Sequence, residues 1–171
     1  MNSRLSCVAR ATGLLNPHQC GFLAGLSASD AVTTLTHEVK SLPMAGRKVS
    51  TLFLDIKGGF DNVNPSTLCG MLRAKGVNPY LVSWTRSFLS GRSCRLRYQG
   101  SPKVFAPVAV GTPQGSPVSP LFFVIYVSRQ HCEIPRGLSL SYVDDFGLTV
   151  SSASYRRNIQ ILQKQYAKLK A

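Results

Sequence analysis

Acidic residues are scarce in this chain, and four of the seven lie in two short hydrophobic segments. Asp55 and Asp61 belong to the first segment, and Asp144 and Asp145 belong to the second. Carboxylates next to buried strands are costly unless a cation pairs with them. If the two segments are neighbours in one sheet, Asp55, Asp144 and Asp145 come within a few ångströms of each other and repel strongly without bound cations.

Such a carboxylate set predicts a magnesium site. Hard oxygen ligands suit Mg²⁺, which keeps several waters and shares its coordination sphere with substrate phosphates. Two ions about 4 Å apart would stabilise the attacking 3′-oxygen and the leaving pyrophosphate of an in-line displacement. For any one aspartate, a turn or helix-cap role is the simpler interpretation. The metal hypothesis depends on the set, and it points to nucleotidyl transfer.

The charge balance indicates a polyanionic partner. Twenty Lys and Arg residues oppose seven acids, which gives a net charge of +13. No acid lies between Asp61 and Glu133, whereas that stretch holds Arg73, Lys75, Arg86, Arg92, Arg95, Arg97, Lys103 and Arg129. Each phosphate that a basic side chain neutralises releases condensed counterions, so this excess favours nucleic acid. A solvated basic face without a ligand is the alternative.

The carboxylates require particular strands to position them. Residues 49–56 form a β-rich, nearly continuous apolar run, which predicts a central strand covered on both faces. Residues 138–143 and 146–150 predict a tight β-hairpin with Asp144 and Asp145 at its tip. Beside the strand, this hairpin would complete the carboxylate set.

The remaining pattern predicts a mixed α/β (α+β) chain. Residues 1–28 show no firm periodicity, and the proline-rich and glycine-rich run 111–120 predicts a loop. The predicted helices are 29–42, with Ser29 as N-cap and Pro43 as the stop, a short helix from Pro65 to before Gly76, one after Asn78 and Pro79, 121–128, and the amphipathic 154–170. Residues 93–99 and 103–110 predict a second hairpin.

Several protein classes are disfavoured. The longest apolar run is far below the roughly 18 to 20 residues that cross a bilayer, so we expect no membrane partner. The five cysteines have no metal-ligand spacing, which favours reduced thiols in an intracellular protein of the cytoplasm or nucleus. Arg4 and Arg10 resemble a mitochondrial presequence only weakly, and a start within a longer reading frame is the preferred interpretation.

Four motifs, in order, resemble the reverse transcriptases of non-LTR (LINE-type) retrotransposons. They are Gln19-Cys20-Gly21-Phe22, the run 54–63 (LDIKGGFDNV), the run 111–121 (GTPQGSPVSPL) and Tyr142-Val143-Asp144-Asp145. The match extends from about Asn16 to the C-terminus. A lone Asp-Asp pair is a weak signal, whereas the ordered set is specific.

The resemblance implies roles for particular residues. Asp55 would bridge two Mg²⁺ ions, with Mn²⁺ as an alternative metal, and the Ile56 carbonyl would complete one coordination sphere. Asp144 would be the second essential ligand, and Asp145 its more dispensable neighbour. Tyr142 would pack beside the primer end.

The resemblance also implies how the nucleotide and the template are bound. Phe60 would lie under the sugar and select deoxynucleotides, with a core aromatic as the competing interpretation. Gln114 and Gly115 would contact the incoming nucleotide and the template base, the glycine allowing close backbone approach. Asp61 is expected to accept backbone hydrogen bonds in its turn, outside the metal set.

The resemblance implies a right-hand polymerase palm, an antiparallel sheet flanked by helices. Residues 1–48 would be a remnant of the fingers, residues 49–171 the palm, and the thumb is absent. The partners would be an RNA template, a DNA primer and deoxynucleoside triphosphates; the oligomeric state stays open. Because the thumb and most of the fingers are missing, we expect weak or no activity of this chain alone. A catalytically inactive nucleic-acid-binding remnant and an RNA-directed RNA polymerase are the alternatives, and Phe60 disfavours the latter.

Overall fold

The computed structural model describes residues 2–42, 46–98, 101–131, 134 and 137–170, with the backbone only for 96–98, 101–105 and 170. Its elements, in chain order, are α1 (Asn2–Ala11), α2 (Ala28–Ser41), β1 (Lys48–Asp55), α3 (Pro65–Ala74), α4 (Pro79–Leu89), β2 (Arg92–Tyr98), β3 (Ser101–Val108), α5 (Ser119–Val127), β4 (Gly137–Tyr142), β5 (Asp145–Ser152) and α6 (Tyr155–Lys170).

The chain divides into two units. The sheet unit comprises Leu15–Lys57 and Val127–Ala171, and the helix–hairpin unit comprises Met1–Leu14 and Gly58–Tyr126. The sheet unit holds β1, β4, β5, α2 and α6. The predicted mixture of helices and antiparallel sheet is confirmed, whereas the division into fingers and palm stays a prediction.

In the sheet unit, three antiparallel strands pair in the order β1-β5-β4. On one face, Leu148 and Val150 of β5 pack with Ile134 and with Leu162 of α6. On the other face, a second apolar cluster joins Leu138 and Leu140 of β4 to Ala31 and Leu35 of α2, together with Cys20. A helix therefore covers part of each face of the sheet.

The prediction that the strand at 49–56 is central was wrong for the sheet that the structure describes. β5 is the middle strand, and β1 pairs with it along one edge. The apolar residues of β1 lie in two different environments. Leu52 and Leu54 pack against the cluster that includes Leu162 of α6, whereas the Phe53 side chain is 68% exposed. Continuous hydrophobicity thus did not require a neighbouring strand on both sides.

In the helix–hairpin unit, asparagine caps set the starts of two helices; the cap at Asn78 was predicted, whereas the cap at Asn64 was not. Asn64 Oδ1 accepts hydrogen bonds from the backbone N–H groups of Ser66 and Thr67, with Pro65 in the first turn of α3. Asn78 caps α4 in the same way. Proline is suited to the first turn because its missing N–H has no helical partner there.

The core of the helix–hairpin unit is aromatic around α5. Phe122 and Phe123 are fully buried, and the Trp84 ring stacks on Phe88 with centroids 5.2 Å apart. The predicted hairpin is present as β2 and β3, with an irregularity in register between Arg95 and Leu96.

The N-terminal part of the chain differs from the prediction. Residues 2–11 form α1, which was not predicted because a stripe of only two buried residues, Leu5 and Ala9, carries little periodic signal. The N-cap of α2 lies two residues earlier than expected, since Ser27 rather than Ser29 caps the helix and forms a reciprocal capping box with Asp30. The expected stop at Pro43 lies outside the described residues.

Two exclusions from the sequence can be compared with the structure. Within the described residues, no helix combines the length and the apolar character needed to span a bilayer. The four cysteines that the structure describes, Cys7, Cys20, Cys69 and Cys94, are free thiols. Burial raises the pKa of Cys20 and of Cys69, so both stay protonated. Cys132 lies outside the described residues.

Candidate active site

Three proposed site residues form one row across the end of the sheet. Asp55, the last residue of β1, pairs with Asp145, the first residue of β5, and Asp145 pairs in turn with Tyr142, the last residue of β4. Directly opposed residues of antiparallel strands project from the same face. The two carboxylates and the phenol therefore share one face.

The hydrogen-bond pattern shows how close this pairing is. The Ile56 N–H donates to the Asp144 carbonyl at 3.2 Å, so the 55–145 pair next to it is of the non-hydrogen-bonded type, in which opposed side chains are closer. Further along the same face, the hydroxyl oxygens of Thr51 and Thr149 are 3.0 Å apart. Like charges on directly opposed residues destabilise a sheet, whereas a cation bound between them would make the pairing favourable.

The turn between β4 and β5 contains only Val143 and Asp144. Val143 has φ +60°, which is rare for a β-branched side chain and costs on the order of 1–3 kcal/mol. Asp144 is half-buried, whereas Asp55 and Asp145 are exposed. The turn brings the Asp144 backbone against Ile56, as the sequence predicted for the neighbourhood of residues 55 and 144.

The donor set fits Mg²⁺ in chemistry but not as a complete protein cage. Among the residues that the structure describes, no three His, Cys, Asp or Glu side chains gather in one metal-binding group. Asp144 lies in the turn and not in the paired row, so the convergence of all three carboxylates on one metal site stays a prediction. Mg²⁺ is commonly held by one or two carboxylates and completed by waters and substrate phosphates, and Asp55 and Asp145 satisfy that requirement.

A cavity of about 490 Å³ lies in the sheet unit beside this row. Its apolar wall includes Val32, Leu35 and Phe53, and both Asp55 and Asp145 line it. The volume falls in the range of small-molecule sites. The cavity therefore combines an apolar wall with two carboxylates.

In the helix–hairpin unit, Phe60 has two environments. Its ring stacks on the buried Phe123, with centroids 4.6 Å apart and an angle of 26°. It also lines a cavity of about 460 Å³ together with Gln114 and Gly115. Phe60 therefore packs on the core and also faces a cavity, whereas its role under a sugar stays a prediction.

Backbone hydrogen bonds hold the loop 111–120 beside the turn that contains Phe60. The Gly111 N–H donates to the Val63 carbonyl at 2.8 Å, and the Thr112 N–H donates to the Phe60 carbonyl at 2.8 Å. Gly111 has φ +83°, and an added Cβ would lie 2.8 Å from the Asp61 carbonyl oxygen. Arg92, which the sequence did not single out for this role, donates to the Gly111 carbonyl at 2.7 Å.

Gln114 is oriented by a carboxylate. Its side-chain amide donates to Asp61 Oδ1 at 3.2 Å. The expectation that Asp61 accepts backbone hydrogen bonds was therefore wrong, because the carboxylate meets another side chain instead. Gly115 has φ +86°, and no atom lies within 4 Å of the position that a Cβ would take. The backbone at Gly115 is thus open towards the cavity.

Sequence reasoning missed a buried polar cluster in the sheet unit. Ser141 donates its hydroxyl hydrogen to Gln19 Oε1, and His131 Nε2 lies 2.7 Å from Ser141 Oγ. The His131 ring also packs on Phe146, with centroids 4.9 Å apart. Burial lowers the pKa of His131 to about 4, so the ring is neutral at pH 7. No local pattern signals this cluster because its members lie in three separate segments.

The basic residues of the acid-free stretch are largely on the surface. Arg73, Lys75, Arg86 and Arg95 of the helix–hairpin unit are all exposed. The side chains of Arg97 and Lys103 lie outside the described residues. The exposed group offers several positive charges to a polyanion.

Comparison with known proteins gives a consistent result. The family model described as reverse transcriptase (RNA-dependent DNA polymerase) matches residues 1–171. Three similar proteins come from Drosophila melanogaster. The "RNA-directed DNA polymerase from mobile element jockey" is 30% identical over 70% of this chain and 12% of its own length. The probable RNA-directed DNA polymerases from transposon X-element and transposon BS are 28% and 26% identical, over 72% and 99% of this chain and 13% and 19% of their own lengths. The chain thus spans less than a fifth of these relatives.

Proposed function

Because the chain belongs to the reverse transcriptase family, we propose that it is the palm portion, with part of the fingers, of an RNA-directed DNA polymerase encoded by a non-LTR retrotransposon. The substrates would be deoxynucleoside triphosphates, with an RNA template and a DNA primer. The observation that carries the proposal is the opposed pair of Asp55 and Asp145, with Asp144 in the adjoining turn.

In this proposal, Asp55, Asp144 and Asp145, together with the Ile56 carbonyl, hold two Mg²⁺ ions, which Mn²⁺ can replace. When bound, the ions would neutralise the charge that develops on the 3′-oxygen and on the leaving pyrophosphate. The aspartates on the shared face supply the anionic oxygens that this binding requires. The exposed position of Asp55 and Asp145 leaves room for substrate phosphates.

The proposed nucleotide and template contacts come from the second cavity. Phe60 has its ring braced on Phe123, so it can serve as a rigid floor for a sugar. Gln114, held by Asp61, presents an amide to the nucleotide or the template base. Gly115 lets the backbone approach a base without a side chain between them. Tyr142 shares the row of the two carboxylates and contacts the primer end.

A catalytically inactive nucleic-acid-binding remnant is the second candidate. One observation favours it: among the described residues, no three His, Cys, Asp or Glu side chains form one metal-binding group. The exposed basic residues would bind RNA or DNA in either case. Binding would then weaken steeply with salt, while Mg²⁺ would not stabilise the fold.

Metal binding separates the two candidates without requiring catalysis. Thermal unfolding of the full chain is measured with and without Mg²⁺, and then with Mn²⁺. At ten times the dissociation constant, a single bound ion stabilises the folded state by about 1.4 kcal/mol. We expect the stabilisation in the wild-type chain and its loss in Asp55→Asn. Glu38→Gln, a carboxylate change in α2 of the same unit, is the control and should retain it.

Primer extension on an RNA template tests the reaction itself. Deoxynucleotide incorporation by the full chain should depend on Mg²⁺ and fall on the order of a hundredfold or more in Asp144→Ala. Robust synthesis that survives Asp144→Ala would refute the proposed mechanism. No incorporation and no metal stabilisation, combined with salt-sensitive RNA binding, would establish the inactive remnant instead.

A further inference from the structure

A short segment ahead of α2 lies against the outer edge of β4. The Cys20 N–H donates to the Ser141 carbonyl at 2.9 Å, and the Ser141 N–H donates to the His18 carbonyl at 3.0 Å. Gln19 and Ser141 thereby form a parallel bridge. The last part of β4 is thus paired on both sides immediately before Tyr142 and the turn.

Side chains reinforce the same contact. Gln19 and Ser141 are fully buried and hydrogen-bonded to each other, and His131 joins from a third segment through Ser141 Oγ. His131 Nδ1 lies 3.1 Å from the Ser139 carbonyl. Gln19 Nε2 is buried without a hydrogen-bond partner among the described residues, which costs about 1–3 kcal/mol.

The next residue, Gly21, touches the turn itself. A Cβ added at Gly21 would lie 2.6 Å from the Val143 backbone nitrogen and closer still to Val143 Cγ2. Real Cβ atoms essentially never come so close to backbone, so any side chain at position 21 must displace the turn. The left-handed conformations on either side of this contact, Val143 at φ +60° and Phe22 at φ +56°, persist only where the surroundings enforce them.

We propose that the segment Gln19-Cys20-Gly21-Phe22 is a positioning element. It fixes the position of the Val143–Asp144 turn relative to the sheet, and so the placement of Asp144 and Asp145 relative to Asp55. The register of the segment on β4 is fixed by Gln19, Ser141 and His131. Gly21 packs directly against Val143. These residues act through the turn and touch no substrate. The catalytic consequence of this placement rests on the proposed metal-dependent function, whereas the positioning itself does not.

A merely structural role predicts something different from a positioning role. If the segment only adds stability, its loss lowers the free energy of unfolding and leaves the folded site intact. If it positions the turn, a substitution loosens the link between Asp144 and Ile56 even in molecules that remain folded. The Ile56 N–H, which donates to the Asp144 carbonyl, reports this directly through its hydrogen exchange.

The experiment uses the full chain with Gly21→Ala and, as a matched control, Gly70→Ala. Gly70 lies in α3 with nothing within 4 Å of its Cβ position, so alanine there should be neutral or stabilising. We expect Gly21→Ala to speed exchange of the Ile56 and Asp145 amides about tenfold or more, with the Leu148 amide within about twofold of wild type. Gly70→Ala should leave all three unchanged. Gln19→Leu provides the same test if Gly21→Ala does not fold.

Manganese titration then connects the position of the turn to the metal. We expect Gly21→Ala to weaken Mn²⁺ binding about tenfold and to lower kcat while the KM for the RNA template–primer changes little. If wild type binds no Mn²⁺, the proposed function fails, and the exchange data alone decide the positioning role. The inference would be overturned if the Ile56 amide exchanged at the wild-type rate in both Gly21→Ala and Gln19→Leu. Faster exchange spread evenly over the sheet would also overturn it.

Discussion

Lowering the pH from 7.5 to 5 should destabilise the sheet unit through His131. The ring is buried against Phe146 and lies within hydrogen-bond distance of Ser141 Oγ. Burial lowers the pKa of His131 from 6.5 to about 4; the Ser139 carbonyl opposes this change, and electrostatic repulsion from the nearby His18 adds to it. In the unfolded chain the imidazole regains its ordinary pKa near 6.5.

The sign and size of the effect follow from this difference. Because the folded pKa is below the unfolded one, the unfolded chain binds more protons between pH 4 and 6.5, and the free energy of unfolding falls as the pH falls. The contribution is complete above pH 6.5. It should decrease by about 2 kcal/mol between pH 7.5 and pH 5, and by about 3 kcal/mol in the limit below pH 4.

Urea unfolding followed by circular dichroism at several pH values measures this change. His131→Gln removes the titrating group and leaves the carboxylates in place, so the difference between the two pH profiles isolates His131. We expect the profile of the variant to be flatter by about 2 kcal/mol over the same interval. Parallel profiles, or a wild-type chain that gains stability as the pH falls, would refute the assignment of a buried neutral histidine.

Three further predictions concern other residues. Asp145→Asn removes the repulsion between the carboxylates at positions 55 and 145, so in urea titrations without metal it should raise the free energy of unfolding by about 0.5–1 kcal/mol. The same substitution should abolish stabilisation by Mg²⁺. A lower stability than wild type without metal would contradict the opposed pair. Leu148→Ala truncates a fully buried side chain of β5 and should cost about 2–5 kcal/mol in the same titrations, and a loss below 1 kcal/mol would show that the core is not packed there. Asp61→Ala releases the Gln114 amide and should raise the KM for the deoxynucleotide about fivefold with little change in metal stabilisation; an unchanged KM would separate Gln114 from nucleotide binding.

Local patterns were sufficient for most of the helices and for the hairpin at Asp144. Asparagine followed by proline marks the starts of α3 and α4 because the cap and the first turn lie within three residues of each other. The apolar stripe of α6 and the apolar strand segments on either side of the turn are likewise patterns among residues close together in the sequence. Periodicity failed at α1, where only Leu5 and Ala9 are buried, and local signals also misplaced the cap of α2, where two serines compete for one position.

The motifs also identified candidate site residues, but not how they meet. The sequence predicted that residues 55 and 144 are neighbours, and the Ile56 hydrogen bond to Asp144 agrees with this. It did not predict that Asp145, rather than Asp144, is opposite Asp55. Strand register depends on which face packs against α2 and which against α6, and those packing partners lie far away along the chain.

By itself, the sequence determined which residues are candidates for binding metal and polyanions, and where most of the helices, strands and turns lie. Those properties depend on side-chain chemistry and on contacts within a few residues. Only the tertiary structure decided that β1 is an edge strand, that Asp61 holds Gln114, and that Gly21 supports the turn at Val143. Each of these contacts joins residues more than fifty positions apart, and their geometry depends on the packing of the whole unit rather than on any local preference.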